Sequence, residues 1–234
     1  MKCGWRTFQM VGALFFLGIA ANAEEIEPGL YLRTTYAFGN LALNTIYIDK
    51  DHRIAIDPRN GIDPFDFNAA AKQSPTTVGN FKVEGNKIVV TWAGGAKTEK
   101  LDIEFDKGAF SAYDGGLVTK AEAYPKNHRL NATYAGSGQT ANVSSTRTIS
   151  FTADGQFSMT QLGGIRGTPG NTGVAEKSVK GTYKLTGNTL ILTASGGEVS
   201  RHTVMPFSTA LDPKSAKLSD DHMIFDSANL KREK

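Results

Sequence analysis

The chain has 234 residues, 40% of them hydrophobic and 21% charged, with 26 basic and 23 acidic side chains. This balance excludes a disordered polymer and a protein built from many apolar membrane spans. The net charge of +3 is too small to favour nucleic acid or an anionic membrane as a partner. We therefore expect a chain that buries a core of its own and has no nucleic-acid partner.

The first 23 residues have the three parts of a secretory signal peptide. Lys2 and Arg6 form a charged start, residues 10–20 are an apolar run, and Ala23 ends a small-residue cleavage motif before Glu24. A retained anchor is the alternative, but the apolar run is shorter than the roughly 20 residues that cross a bilayer. We predict cleavage between Ala23 and Glu24, a periplasmic or secreted protein, and no membrane span in the mature chain.

The only cysteine, Cys3, lies inside this segment. The mature chain is therefore expected to be free of cysteine. Disulfides, thiolate chemistry and Cys-ligated zinc are then excluded, and hydrophobic burial and backbone pairing must supply the stability.

The chain contains an internal repeat. Residues 79–105 align without gaps to residues 181–207, with eight identical positions. Convergent hairpin turns are the alternative explanation, since Gly-Asn and Gly-Gly pairs suit any tight turn. The match continues in the same order upstream, which favours two copies of one unit, residues 24–127 and 128–234.

Apolar residues in each copy recur with a period of two, as at Ile46 and Ile48 or at Ile149 and Phe151, and turn pairs separate these runs. Residues 68–72 could form at most one or two helical turns. The pattern predicts an all-β fold of two tandem antiparallel meanders with about eight short strands each, as barrels or curled sheets.

Each meander has one long interruption, at residues 58–77 and at residues 163–179. Long loops inside compact domains are usually functional or disordered. The second interruption holds five glycines, and we expect it to be mobile.

The repeated strip G-x-[FY]-K-[VL]-x-G-N-x-[IL]-x-[VL]-T-x-x-G-G resembles the lipocalin-like β-barrel modules of uncharacterised exported bacterial proteins. The resemblance covers most of residues 128–234 and, in more degenerate form, residues 28–127. It implies a meander barrel and no particular activity. The Gly-x-Trp that opens true lipocalins is missing, and Gly29-Leu30-Tyr31 is the nearest match.

Four residues are candidates for ligand contact: Trp92, Glu99, Arg166 and Arg201. Trp92 aligns with Ala194 and could stack on a ligand, or it could simply pack in a core. Glu99 and Arg201 align with each other, and alternation points both inward near a barrel end, at a mouth or a solvated rim. Arg166 lies in the second interruption.

Metal, cofactor and catalytic motifs are not expected. The carboxylates at positions 49, 51, 57, 63 and 66 lack EF-hand spacing and suit turns. The four histidines, at positions 52, 128, 202 and 222, show no zinc spacing, and we expect them to be solvated. The sequence contains no Gly-x-Ser-x-Gly motif for an activated nucleophile.

These observations favour an exported, non-enzymatic binding module of two lipocalin-like domains, whose long loops contact a small apolar ligand or a protein partner. The alternative is an envelope-associated interaction protein, inhibitor or immunity factor that uses the two long loops. A lipocalin-like enzyme ranks last, because it needs titratable residues inside a barrel, and the predicted interior is overwhelmingly apolar.

Overall fold

The computed structural model describes residues 25–37, 40–95, 97–140, 143–166, 172–207 and 221–234. They form two closed antiparallel barrels of eight strands, and each barrel is a meander. The all-β prediction with eight strands per copy is confirmed. The predicted signal peptide and its cleavage site, Ala23 and Glu24, lie outside the described residues.

The first barrel contains eight strands and one short helix. The strands are β1 (Gly29–Ala37), β2 (Asn40–Ile48), β3 (Arg53–Ile56), β4 (Val78–Glu84), β5 (Lys87–Trp92), β6 (Thr98–Asp106), β7 (Ala109–Tyr113) and β8 (Gly116–Lys120). Helix α1 (Phe67–Gln73) lies between β3 and β4, where Asp66 caps it by accepting a hydrogen bond from the amide of Ala69. Pairing of β1 with β8 closes the barrel.

The second barrel repeats this order. Its strands are β9 (Ala132–Thr140), β10 (Val143–Phe151), β11 (Gln156–Arg166), β12 (Thr172–Thr186), β13 (Thr189–Ala194), β14 (Val199–Phe207), β15 (His222–Phe225) and β16 (Ala228–Arg232). Pairing of β16 with β9 closes this barrel.

Each barrel encloses its own apolar core, because alternate residues of every strand face inward. Ile46, Ile88 and Trp92 are among those that fill the first barrel, and Ile149 and Leu190 are among those that fill the second. The repeated glycines at 79 and 181 allow close strand approach, since a Cβ at Gly181 would overlap the carbonyl oxygen of Thr193.

The prediction of a long loop at 163–179 is wrong over most of that segment. Strands β11 and β12 form a long hairpin, whose pairing runs from Gln156 opposite Thr182 to Arg166 opposite Thr172. Glycine weakens a strand, but the ladder uses backbone groups that glycine also carries. Residues 167–171 of the expected loop lie outside the described residues.

The two barrels pack side by side through the segment 57–66, which we call the bridging loop. Outward residues of β1 pack with Ile62 of this loop and with Met205 and Ile224 of the second barrel. The amides of Ile62 and Asp63 both donate to Oγ1 of the fully buried Thr189, each at 2.8 Å. The bridging loop is therefore packed between the two barrels and forms part of their contact.

Candidate functional site

The second barrel has a cavity of about 180 Å³ at one end, which we call the mouth. Its lining combines apolar side chains (Phe157, Met159, Val179, Leu192 and Ala194) with polar ones (Arg147, Gln161, Lys177, Glu198, Ser200 and His202). An apolar cavity with a few convergent polar groups is the usual form of a small-ligand site.

A wider groove of about 500 Å³ adjoins the mouth, between the bridging loop and β14. Arg59 and Asn60 line it from the loop, and Asp226 lines it from the turn after β15. Ser200 and His202 line both spaces. A ligand larger than the mouth therefore has room to extend into the groove.

The repeat explains why the second barrel is open where the first is filled. Trp92 pairs with Gly79 in the first barrel, and Ala194 pairs with Gly181 at the same register of the second. The indole of Trp92 is buried in the first core, whereas Ala194 lines the mouth. The exchange of tryptophan for alanine thus leaves space at this end of the second barrel.

Arg147 places a cation in the mouth. It lies on the inward face of β10, two residues before the buried Ile149. Its guanidinium carbon lies 4.7 Å from the ring centre of Phe225. Burial lowers the pKa of Arg147, an effect opposed by Asp226 and reinforced by Arg59. Among the described residues no carboxylate lies within ion-pair distance of this guanidinium. A partly desolvated cation in this position favours an anionic partner.

Ser200, His202 and Asp226 form a hydrogen-bonded array beside Arg147. Ser200 Oγ lies 2.9 Å from His202 Nε2, and His202 Nδ1 lies 2.7 Å from Asp226 Oδ2. The other oxygen of Asp226 accepts from the amide of Thr203 at 3.0 Å. The imidazole also packs against the ring of Phe225, with ring centres 4.5 Å apart and planes tilted by 34°. All three polar side chains are thereby held in defined positions.

Two of the candidates from the sequence, Trp92 and Glu99, lie in the first barrel. Trp92 is 9% exposed, and its Nε1 donates to Glu99 Oε2 at 2.9 Å. Glu99 shares the inward face with Val90, as expected. Hydrogen bonds from Lys97 and then from Trp92 lower the pKa of the Glu99 carboxyl. This pair closes the end of the first core.

The expected inward orientation of Arg201 is wrong. Arg201 pairs with Ile191 on the outer face of β13 and β14. Its guanidinium donates to the carbonyl oxygens of Asn60, Asp63 and Pro64 at 3.0–3.2 Å, which fastens the bridging loop. Arg166 is the last residue of β11, and its side chain lies outside the described part of the chain.

Sequence reasoning missed Arg147, Ser200 and His202. His202 was expected to be solvated, but its side chain is only 17% exposed. The signal that could have identified it is Ser-x-His within a strand, since residues two apart share one face of a sheet. The predicted interior was also too uniformly apolar, because the mouth contains these polar groups.

The clustered aspartates in the first barrel stabilise local structure. Asp49 accepts from the amides of Asp51 and Arg53, and Asp57 accepts from the amide of Thr45. Asp63 accepts from the amide of Asn188 across the contact between the barrels. Within the described ranges, no group of three or more His, Cys, Asp or Glu residues has the geometry of a metal site.

Comparisons of the chain with protein families, with curated proteins and with solved structures find no match. In the described part of the chain, no helix is long and apolar enough to span a membrane. The structure shows two closed eight-stranded meander barrels in tandem, an arrangement that fits a lipocalin-like module.

Proposed function

We propose that this protein binds a small amphipathic anion, with an apolar body and one anionic group, in the mouth of the second barrel. The observation that carries this proposal is Arg147, a partly buried cation beside an apolar cavity. The cavity walls would take the apolar body, and the guanidinium would take the anionic group.

The surrounding charges support an anionic ligand. Lys177 lines the mouth, Arg59 lines the adjoining groove, and both add positive charge to that of Arg147. Asp226 is already engaged by His202 and by the amide of Thr203. Glu198, the acidic residue that lines the mouth, is exposed. Neither carboxylate forms an ion pair with Arg147, so its charge is available to a ligand together with that of Lys177.

Titration calorimetry with three eight-carbon probes tests the head group. We expect octanoate to bind more tightly than 1-octanol, and octylammonium to bind most weakly. A hydrogen bond to a charged group is worth about 1.5–3 kcal/mol, so Arg147→Met should weaken octanoate binding by about 10–100-fold. Lys184→Met removes an exposed cation on the outer face of the same barrel and should leave binding unchanged.

Ala194→Trp tests the position of the site. The first barrel holds a tryptophan at this register beside a glycine, so the substitution should fill the mouth and keep the fold. We expect octanoate binding to disappear while the circular dichroism spectrum is retained. Octanoate binding that survives Ala194→Trp would place the ligand elsewhere and refute the proposal.

We also propose that the chain is exported, as its resemblance to modules of exported bacterial proteins implies. The support is the charged, apolar and small-residue succession that ends at Ala23. Expression in a bacterium, followed by fractionation and intact mass measurement, should give a periplasmic or secreted chain beginning at Glu24. A cytoplasmic chain that retains residues 1–23 would contradict this proposal.

An interaction or inhibitor role stays a prediction. It depended on two long loops, and the structure gives neither of them as a free loop over its described residues. The bridging loop is packed between the barrels, and residues 163–166 and 172–179 belong to strands.

A further inference from the structure

The array of Ser200, His202 and Asp226 has the connectivity of a nucleophile, a base and a carboxylate that orients the base. We propose that Ser200 is an activated nucleophile and that the second barrel hydrolyses small carboxylic esters with an apolar acyl chain. This inference rests on the proposed function, because the same mouth receives the acyl chain. It departs from the expectation of a purely non-enzymatic module.

The hydrogen bonds fix the direction of proton flow. An ionised carboxylate only accepts, so the contact of Asp226 with Nδ1 requires the imidazole proton to be on Nδ1. In the neutral imidazole Nε2 is then unprotonated and accepts from Ser200 Oγ at 2.9 Å. A serine hydroxyl hydrogen-bonded to a base that is itself held by a third group is the signature of an activated nucleophile.

The fold alone accounts for only one member of this array. The first barrel has Asp114 at the turn equivalent to that of Asp226, and both aspartates have a positive φ, 47° and 46°. Turn geometry therefore explains the aspartate. At the registers of Ser200 and His202, however, the first barrel has Glu99 and Leu101, so the serine and the histidine are features of the second copy.

The surroundings of Ser200 define the substrate class. Ser200 and His202 stand where the mouth meets the groove. An acyl chain in the mouth would leave the alcohol portion of the ester in the groove, near Arg59 and Asn60. Arg147 lines the same cavity as Ser200 and would meet the negative charge that develops on the carbonyl oxygen.

The proposed reaction balances without a cofactor. Ser200 Oγ bonds to the acyl carbon as its proton passes to His202 Nε2, and the carbonyl oxygen becomes an oxyanion. Collapse of this intermediate breaks the bond to the alcohol, which leaves with the proton from His202. Water then attacks the acyl-serine and gives its proton to His202, and the carboxylic acid leaves as Ser200 regains its proton. The carboxylate product is the amphipathic anion of the proposed function.

Covalent labelling provides a direct test. The purified protein is treated with an alkyl fluorophosphonate, in which Oγ displaces fluoride from phosphorus, and peptide mass spectrometry locates the adduct. We expect one adduct per chain, on Ser200, and none in Ser200→Ala. The control Ser195→Ala changes an exposed serine of the same hairpin whose hydroxyl donates to a backbone carbonyl, and it should label normally.

Steady-state hydrolysis of 4-nitrophenyl octanoate tests the role of each residue. Ser200→Ala should lose at least 100-fold in kcat. Asp226→Asn suits the turn, since asparagine tolerates a positive φ, but it no longer forces the proton onto Nδ1. We expect Asp226→Asn to lower kcat and the labelling rate by at least tenfold with KM unchanged, as befits a positioning residue. A merely structural role would leave kcat unaffected in a folded variant.

The two proposals fail in different ways. Suppose that Ala194→Trp abolishes octanoate binding, but Ser200 is not labelled and no hydrolysis above buffer is seen. The proposal that Ser200 is a nucleophile would then be overturned, and the proposed binding site would stand. Octanoate binding that Ala194→Trp leaves unchanged would overturn the binding proposal. Labelling at a serine other than Ser200 would also overturn the proposed nucleophile.

Discussion

Replacing Thr189 by valine removes one hydroxyl from the contact between the barrels and nearly preserves the side-chain shape. In the variant, the amides of Ile62 and Asp63 lose the oxygen to which both donate at 2.8 Å. Each buried amide left without an acceptor costs about 1–3 kcal/mol. Because the bond from Asp63 is only partly buried, we expect a total loss of about 2–4 kcal/mol in the free energy of unfolding.

Urea unfolding measures this loss with two probes. In a Trp5→Phe background Trp92 is the only tryptophan, and its fluorescence follows the first core, while far-UV circular dichroism follows both barrels. With a denaturant slope of about 2 kcal/mol per molar, the midpoint should fall by about 1–2 M. Both probes should shift together, since the lost bonds join the bridging loop of one barrel to a strand of the other.

Thr193→Val provides the matched control. Thr193 lies on the same strand, and its hydroxyl has no hydrogen-bond partner among the described residues. Its replacement should change the unfolding free energy by no more than about 0.5 kcal/mol. If Thr189→Val moves the midpoint no further than Thr193→Val does, the two shared amide bonds do not hold the barrels together and the reasoning is refuted.

Three further predictions concern the cores. Gly181→Ala should lower the free energy of unfolding in urea by about 1–3 kcal/mol or more, because its Cβ overlaps the backbone of a neighbouring strand. Gly163→Ala should be nearly neutral, because a Cβ at Gly163 meets open space. Trp92→Ala should cost about 3–5 kcal/mol through the cavity it leaves; a loss below 1 kcal/mol would show that the first core collapses around it. Burial raises the pKa of Tyr31 to about 12, so its neutral phenol contributes stability that is present below about pH 10 and lost as pH rises from about 10 to 12. Unfolding titrations across that range should show a smaller alkaline loss for Tyr31→Phe, and an equal loss would contradict this account.

The strands and the two barrels were predictable from the sequence because alternation and turn pairs are local signals. The orientation of Arg201 was not predictable, because the two copies differ in register at this strand. Five residues connect β5 to β6, but only four connect β13 to β14. A gap-free alignment therefore shifts the following strand by one residue, and a shift of one residue exchanges its inner and outer faces. The structural counterpart of Glu99 is Ser200, and Arg201 faces outward.

Only part of the mouth could be predicted from the sequence. The contrast between Trp92 and Ala194 was evident, but alternation cannot say which barrel end stays open. Asp226 reaches His202 across 24 positions, and Arg147 arrives from a different strand. These contacts depend on barrel closure, which brings together residues that are distant in the chain.

The turn that holds Asp226 also joins the barrels. Its next residue, Ser227, donates to Asp57 Oδ1 of the first barrel at 2.7 Å, while Asp226 holds His202. This two-residue turn therefore contacts the first barrel through Ser227 and the mouth of the second barrel through Asp226. The first barrel thus supplies Asp57 as an acceptor for this turn, and the second barrel carries the mouth. A substitution at Asp57 that removes this acceptor is therefore expected to disturb the turn and, through Asp226, the position of His202.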